Sequence, residues 1–217
     1  QEDTMTKRPI VAFLYDFDKT LCTTDMQDYT FIPSLGYTPG EFWSIANSFG
    51  FENRMDGLLA YMYTMIEECR KKGIRLDRDY LVSCGHAIEL FPGVREMLQT
   101  LREYADLCIV SNGEHDYIAL CLQVFGLTDV FVRTATSVPG RTKGENLRAL
   151  LDDLRPERAV MVGDRLGDIR AGQENGLPTI AACYGYGNDA EYNQASLRAE
   201  SVADLTRQLV DFCRTGH

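Results

Sequence analysis

Apolar residues recur along this chain with two different spacings, and the change between them predicts two kinds of structure. Between residues 24 and 89 the spacing is helical, with apolar side chains three and four positions apart across 55–69. Gly73 is expected to end that helix, and shorter helices are predicted at 40–49 and 77–90. This part of the chain therefore indicates a small unit built from helices alone.

Outside that region, short apolar runs alternate with helical stripes, a pattern typical of a parallel sheet with right-handed crossovers. The predicted strands are 10–15, 107–110, 130–132, 159–162 and, as the last in the chain, 179–182. The predicted helices are 94–104, 117–125, 147–154, one that ends near Gly176, and 201–213. We therefore predict an α/β fold with a Rossmann-like parallel sheet core and helices on both faces.

The helical region interrupts the α/β pattern directly after the first strand, and this position predicts the domain organisation. Residues 9–23 and 90–217 are expected to form the α/β core, with residues 24–89 inserted as a small all-helical cap. The polar segment 1–8 is expected to be loose. A purely helical insertion at this point is expected to act as a lid.

Polar side chains follow three of the predicted strands, at the point where each strand ends. Asp16 and Asp18 follow the first strand, Ser111 and Asn112 follow the second, and Asp164 follows a later one. Parallel strands place their carboxyl ends at one edge of the sheet, and open α/β sheets bind ligands at that edge. We therefore expect these five side chains to meet there.

Lys143 and Asp168 add two further charges to the same predicted edge. Thr142 and Glu145 are spaced as a capping box, which places Lys143 in the first turn of a helix, where the helix dipole disfavours a cation. Nearby carboxylates or a phosphate would offset that cost. Asp168 either joins the other carboxylates or is only the N-cap of the following helix. Crowded carboxylates repel one another, so either some of them are protonated or a hard divalent cation and Lys143 neutralise them. Ligands that are all oxygen atoms suit magnesium, and we predict Mg²⁺.

The composition of the chain limits the kinds of molecule that the protein is expected to bind. The net charge of -10 and the lack of a basic stripe argue against nucleic-acid binding. No apolar run is long enough to span a membrane. The seven cysteines are scattered without a Cys-x-x-Cys pair, and the three histidines do not cluster, so we expect reduced thiols, a cytoplasmic location and no zinc site.

In their order along the chain, these motifs resemble those of the haloacid dehalogenase-like (HAD) superfamily of aspartate-nucleophile hydrolases. The motifs are Asp16-Phe17-Asp18-Lys19-Thr20, then Ser111-Asn112, then Lys143, then Gly163-Asp164 with Asp168. The segment Phe91-Pro92-Gly93-Val94 and the spacing of the last motif are similar to the phosphoglycolate-phosphatase-like branch. The helical insertion is similar to that family's cap, and the resemblance extends over residues 10–213.

The resemblance implies a magnesium-dependent phosphatase that hydrolyses a small phosphorylated metabolite through an aspartyl-phosphate intermediate. Asp16 would attack phosphorus. Asp18 would protonate the leaving oxygen and then deprotonate the attacking water. Lys143 would offset negative charge at Asp16 and at the phosphoryl group.

The resemblance also implies how the phosphoryl group and the metal are held. Ser111 and Asn112 would hold the phosphoryl oxygens. Asp18 would bind the metal through its backbone carbonyl. Asp168 would either bind the metal directly or contact the residues that bind it. The implied metal-binding residues are Asp16, Asp18, Asp164 and Asp168.

Several alternatives stay open at this stage. The presence of Asp18 argues against dehalogenation, because a halide leaving group needs no proton. A sugar phosphomutase similar to β-phosphoglucomutase would keep both aspartates, and a nucleotidase would also fit the motifs. A non-catalytic binding protein with this fold is the remaining alternative. Neither the natural substrate nor the oligomeric state can be read from the sequence.

Overall fold

The computed structural model describes residues 11–23, 31–54, 57–75, 80, 89–113 and 115–215. The chain divides into two compact units, one formed by Gln1–Thr23 with Leu90–His217 and the other by Thr24–Glu89. The segment 1–8, predicted to be loose, lies outside the described residues, as does most of the helix predicted at 77–90.

The first unit is built on a parallel sheet with the strand order β3-β2-β1-β4-β5-β6 among the described residues. Its strands are β1 (Val11–Tyr15), β2 (Asp106–Val110), β3 (Arg133–Ala135), β4 (Arg158–Gly163), β5 (Thr179–Ala182) and β6 (Leu197–Ala199). Every residue of β1 is buried, as expected for a central strand that is covered on both faces. The direction of the strand order reverses between β1 and β4, which is where sheets of this kind bind ligands.

Helices connect the strands and cover both faces of the sheet. They are α4 (Val94–Leu101), α5 (His115–Phe125), α6 (Lys143–Leu154), α7 (Leu166–Glu174), α8 (Asp189–Tyr192) and α9 (Val202–Thr215). Leu14 packs in one cluster with Leu147 of α6, whereas the neighbouring Phe13 contacts Phe212 of α9, with 6.1 Å between the ring centroids. Because alternate residues of a strand face opposite sides, these contacts confirm the predicted Rossmann-like α/β fold.

The second unit contains, in its described part, α1 (Ile32–Ser34), α2 (Pro39–Asn53) and α3 (Gly57–Lys71). Thr38 caps α2 through a capping box with Glu41, and Gly73, with a φ of 65°, follows the end of α3. Its buried apolar residues form a separate cluster of Ile32, Leu35, Phe42, Ala46, Tyr61 and Cys69. This unit therefore has its own small core.

Two strand predictions are wrong, and both errors fall at the edges of the sheet. The predicted strand 130–132 is instead Arg133–Ala135, because Val130 is held in a turn by its N–H, which donates to the carbonyl of Leu127. The strand at 179–182 is not the last, since Leu197–Ala199 adds β6 beyond it. Edge strands are covered less completely than central ones, so β3 and β6 lack the apolar runs that reveal buried strands.

None of the described helices combines the length and the apolar character that a bilayer-crossing segment needs. The described cysteines form no disulfide, and four of them are buried thiols: Cys22, Cys69, Cys108 and Cys121. Burial raises the pKa of the Cys108 thiol to about 12, so this sulfur is held in its unreactive protonated form.

Candidate active site

Asp16 and Asp164 lie side by side because they follow neighbouring parallel strands. Tyr15 of β1 is in register with Val162 of β4, and the N–H of Asp16 donates to the Val162 carbonyl at 2.8 Å. Each aspartate comes at the point where its strand ends. Asp16 is 8% exposed and Asp164 is 1% exposed. The sheet thus places two nearly buried carboxylates at its carboxyl edge.

Asp168 brings a third carboxylate to the same place from the first turn of α7. Its Oδ2 accepts the backbone N–H of Arg165 at 2.9 Å, which caps the start of the helix. The carboxylate oxygens of Asp16, Asp164 and Asp168 can be chosen so that all lie within 4.8 Å of one another. The side chain therefore joins the carboxylate group, as one of the two sequence alternatives expected. The other alternative is wrong in its position, because the N-cap of α7 is Arg165 and Asp168 supports that cap from three residues further on.

Lys143 lies against two of these carboxylates. Its Nζ is 2.6 Å from Oδ1 of Asp16 and 2.5 Å from Oδ1 of Asp168, and its side chain is 8% exposed. Thr142 is the N-cap of α6 and forms the predicted capping box with Glu145, so Lys143 is the first residue of the helix. The two ion pairs offset the unfavourable position of a cation at a helix N-terminus.

The start of α6 packs closely against the end of α7. The side-chain amide of Asn175 donates to the Gly144 carbonyl at 2.9 Å. A Cβ at Gly144 would meet a carboxylate oxygen of Glu174, the far end of a flexible side chain that would have to move aside. These contacts lie at the residue next to Lys143 and help to hold the first turn of α6 in place.

The electrostatics of the site are those of three crowded carboxylates, two of which pair with one ammonium group. Burial and then the neighbouring Asp168 hold the pKa of Asp16 well above its usual range, despite the opposing effect of Lys143. Burial is also the main cause that raises the pKa of Asp164 to about 6. For Lys143, burial lowers the pKa, but Asp16 and Asp168 together outweigh it, so its pKa is raised and the group stays charged.

This arrangement fits a hard divalent cation. The donor atoms are carboxylate oxygens, they are close enough to share one ion, and one lysine leaves three carboxylates under-compensated. A cation among them would relieve their mutual repulsion, which adds to the effect of burial on the pKa values of Asp16 and Asp164. The carboxylate group of Asp16, Asp164 and Asp168 can therefore hold a metal such as Mg²⁺.

Asp164 is held by two contacts that sequence reasoning missed. The Oγ of Thr20 donates to its Oδ1 at 3.3 Å, and the N–H of Tyr186 donates to its Oδ2 at 2.7 Å. Thr20 belongs to the first motif but also fits a simple turn role, so its partner could not be inferred. The sequence feature that could have pointed to the contact of Tyr186 is the pair of glycines around it, Gly185 and Gly187, just beyond a buried strand.

The other predicted site residues lie at or near the same sheet edge, with different surroundings. Asp18 is partly buried, and the Cys22 thiol lies 3.7 Å from its Oδ1. Its carboxylate is not part of the three-carboxylate group. Ser111 follows β2 and is buried, with its Oγ accepting the N–H of Gly113 at 2.9 Å, whereas Asn112 is exposed. Their roles toward phosphate and metal stay predictions.

Comparison with known proteins agrees with this geometry. The family model of the haloacid dehalogenase-like hydrolases matches residues 10–176, which include all the motif residues named above. A phosphoglycolate phosphatase of Vibrio vulnificus is 31% identical over 152 residues, a region covering 67% of this chain and 66% of the relative. A phosphoglycolate phosphatase of Synechococcus elongatus is 28% identical over 218 residues, covering 94% of this chain and 99% of the relative.

Among solved structures, a predicted phosphatase from Clostridium acetobutylicum has a similar fold. The two chains superpose with a TM-score of 0.70 at 20% identity, and the match covers 93% of this chain and 99% of the other. At this identity the similarity establishes the fold and does not extend to substrate.

Proposed function

Since this chain belongs to the haloacid dehalogenase-like hydrolase family, we propose that it is a magnesium-dependent phosphatase for a small phosphomonoester. The observation that carries the proposal is the convergence of Asp16, Asp164 and Asp168 at one edge of the sheet, where Lys143 pairs with two of them. Phosphoryl transfer depends mainly on positioning and charge neutralisation, and this site supplies both.

In this proposal Asp16 is the nucleophile and forms an aspartyl-phosphate. The ion pair with Lys143 holds Oδ1 of Asp16 in place, which fixes the direction of attack. Lys143 also favours the ionised, nucleophilic form of Asp16, since it opposes the effect of burial on the pKa of that carboxyl. Asp18, the partly buried carboxylate two residues on, protonates the leaving oxygen and then accepts a proton from water.

Asp16, Asp164 and Asp168 would hold the magnesium ion, with the backbone carbonyl of Asp18 as a further ligand. When bound there, Mg²⁺ would stabilise the negative charge on the transferring phosphoryl group. Ser111 and Asn112, at the end of the neighbouring strand β2, would hold phosphoryl oxygens. We further propose that residues 24–89 serve as the cap that selects the leaving group, and that the protein acts in the cytoplasm.

Phosphoglycolate is the first substrate to test, because the relatives matched over the chain bear the name phosphoglycolate phosphatase. The experiment measures phosphate release from phosphoglycolate, sugar phosphates, nucleoside monophosphates and phosphoserine, with magnesium and with a chelator. We expect magnesium-dependent release with a preference for one substrate class. No release from any compound in the panel would contradict the proposal and favour a phosphomutase or a binding protein.

A further inference from the structure

The loop after β5, residues 184–187, lies directly on Asp164. The N–H of Tyr186 donates to Oδ2 of Asp164 at 2.7 Å. A Cβ at Gly185 would collide with the Asp164 side chain and would lie 2.7 Å from the carbonyl oxygen of Lys19. A Cβ at Gly187 would collide with the Asp164 carbonyl. The loop therefore approaches Asp164 more closely than any residue with a side chain could.

Backbone conformation does not explain these glycines. The described glycines with positive φ, such as Gly93 and Gly126, lie elsewhere, and neither Gly185 nor Gly187 is among them. A left-handed φ therefore does not exclude alanine at these positions, and it is the lack of space beside Asp164 that requires glycine. The close approach is thus a feature of this site and not of the turn.

The same loop also holds the turn that follows β1. The hydroxyl of Tyr184 donates to the Thr20 carbonyl at 3.1 Å, and its ring packs edge-on against Phe91 with 5.0 Å between the centroids. Thr20 in turn donates its Oγ to Oδ1 of Asp164 at 3.3 Å. Both carboxylate oxygens of Asp164 are therefore bonded, one to the loop itself and one to a residue that the loop supports.

We propose that the 184–187 loop positions Asp164 for cation binding, with Tyr184 and Gly185 as its positioning residues. Two hydrogen bonds on opposite oxygens restrict rotation of the carboxylate about its side-chain torsions, which orients its remaining lone pairs toward Asp16 and Asp168. The loop thereby sets the affinity of the site for magnesium. This inference rests on the magnesium site of the proposed function.

The test measures magnesium affinity in two ways on the variants Tyr184→Phe and Gly185→Ala. The first readout is the rise in melting temperature during a magnesium titration, which needs no turnover. The second is the magnesium concentration for half-maximal phosphate release, with kcat and KM measured at saturating magnesium. Matched controls are Tyr104→Phe, at a tyrosine 61% exposed, and Gly167→Ala, where a Cβ meets nothing within 4 Å.

Each readout gives an apparent dissociation constant for magnesium, called here the magnesium constant. We expect this constant to rise roughly tenfold in Tyr184→Phe and further, up to about 100-fold, in Gly185→Ala. Both controls should stay within about twofold of the wild type, and saturating magnesium should restore most of kcat. A lower melting temperature with an unchanged magnesium constant in both variants would overturn the inference, because it would show a purely structural loop. If Gly185→Ala does not fold, Tyr184→Phe decides alone.

Asp164→Asn separates this inference from the proposed function. If that variant titrates with magnesium like the wild type, the metal site itself is wrong and the loop inference falls with it. If Asp164→Asn loses the magnesium response while Tyr184→Phe and Gly185→Ala keep wild-type constants, the loop inference is wrong and the proposed function stands.

Discussion

The Nζ of Lys143 lies 2.6 Å from Oδ1 of Asp16, although the two residues are 127 positions apart in the chain. The contact joins the first residue of α6 to the first residue after β1. It leaves the ammonium group shared with Asp168, so one buried cation serves two buried anions. Removal of any of the three should therefore change the charge balance and the chemistry of the site.

Replacement of Asp16 by asparagine should abolish turnover while the protein stays folded. The amide cannot act as the nucleophile, and we expect phosphate release to fall by more than about a thousandfold. Without magnesium the melting temperature should stay the same or rise, because one of three crowded carboxylates is gone. The control is Asp153→Asn, at an exposed aspartate paired with Arg133. Wild-type turnover in Asp16→Asn would contradict the nucleophile assignment.

Lys143→Met should destabilise the protein in the absence of magnesium. The change removes the only cation bonded to Asp16 and Asp168 among the described residues, and a buried charge left without its partner costs about 3–5 kcal/mol. Urea unfolding at neutral pH measures the loss, which should shrink at pH 5 as carboxylates become protonated. Arg70→Met, at an arginine whose side chain is 71% exposed and whose partner Glu67 is 43% exposed, should have little effect. Equal free energies of unfolding for the two variants would argue against strong repulsion among the carboxylates of Asp16, Asp164 and Asp168.

The stabilisation by magnesium should grow as the pH rises from about 4 to about 7. The pKa of Asp164 is raised from 3.8 to about 6 in the folded protein, so its ionisation disfavours the folded state. Without metal, this group lowers the free energy of unfolding as the pH rises through that interval, by at most about 3 kcal/mol. Bound Mg²⁺ favours the ionised carboxylate and reverses the effect.

Melting temperatures with and without magnesium, recorded at several pH values, test this dependence. The difference should be small near pH 4 and reach its full size near pH 7. Asp164→Asn should flatten the profile, since it removes the titrating group. A magnesium effect that is constant over the whole range would contradict the assignment of Asp164 to the cation site.

The capping box of α6 should matter for turnover as well as for stability. Thr142→Ala removes the acceptor for the N–H of Glu145, which lies 3.2 Å from the threonine Oγ, and should cost about 1 kcal/mol. Fraying of this turn also releases Lys143, so we expect a clear loss of kcat. Thr38→Ala is the matched control, because Thr38 forms the equivalent box with Glu41 at 3.3 Å in α2. It should cost similar stability with a smaller effect on kcat.

The central part of the fold could be predicted because its signals are local. A strand buried on both faces, such as β1 or residues 159–163 of β4, is apolar throughout, and a polar residue directly after it marks the strand end. The edge strands β3 and β6 lack that signal, since solvent covers part of them. Their positions depend on the neighbouring strand to which they pair, and pairing partners are distant in sequence.

The sequence by itself determined the strand ends that carry Asp16 and Asp164, and the capping box that places Lys143 at the start of a helix. These features depend on residues within a few positions of one another, where propensity and capping chemistry act directly. Only the tertiary structure decided that Asp168 supports the cap of α7 and also joins the carboxylate group, and that the 184–187 loop holds Asp164. Those outcomes depend on packing between segments distant in the chain, where sub-ångström fit selects the contact.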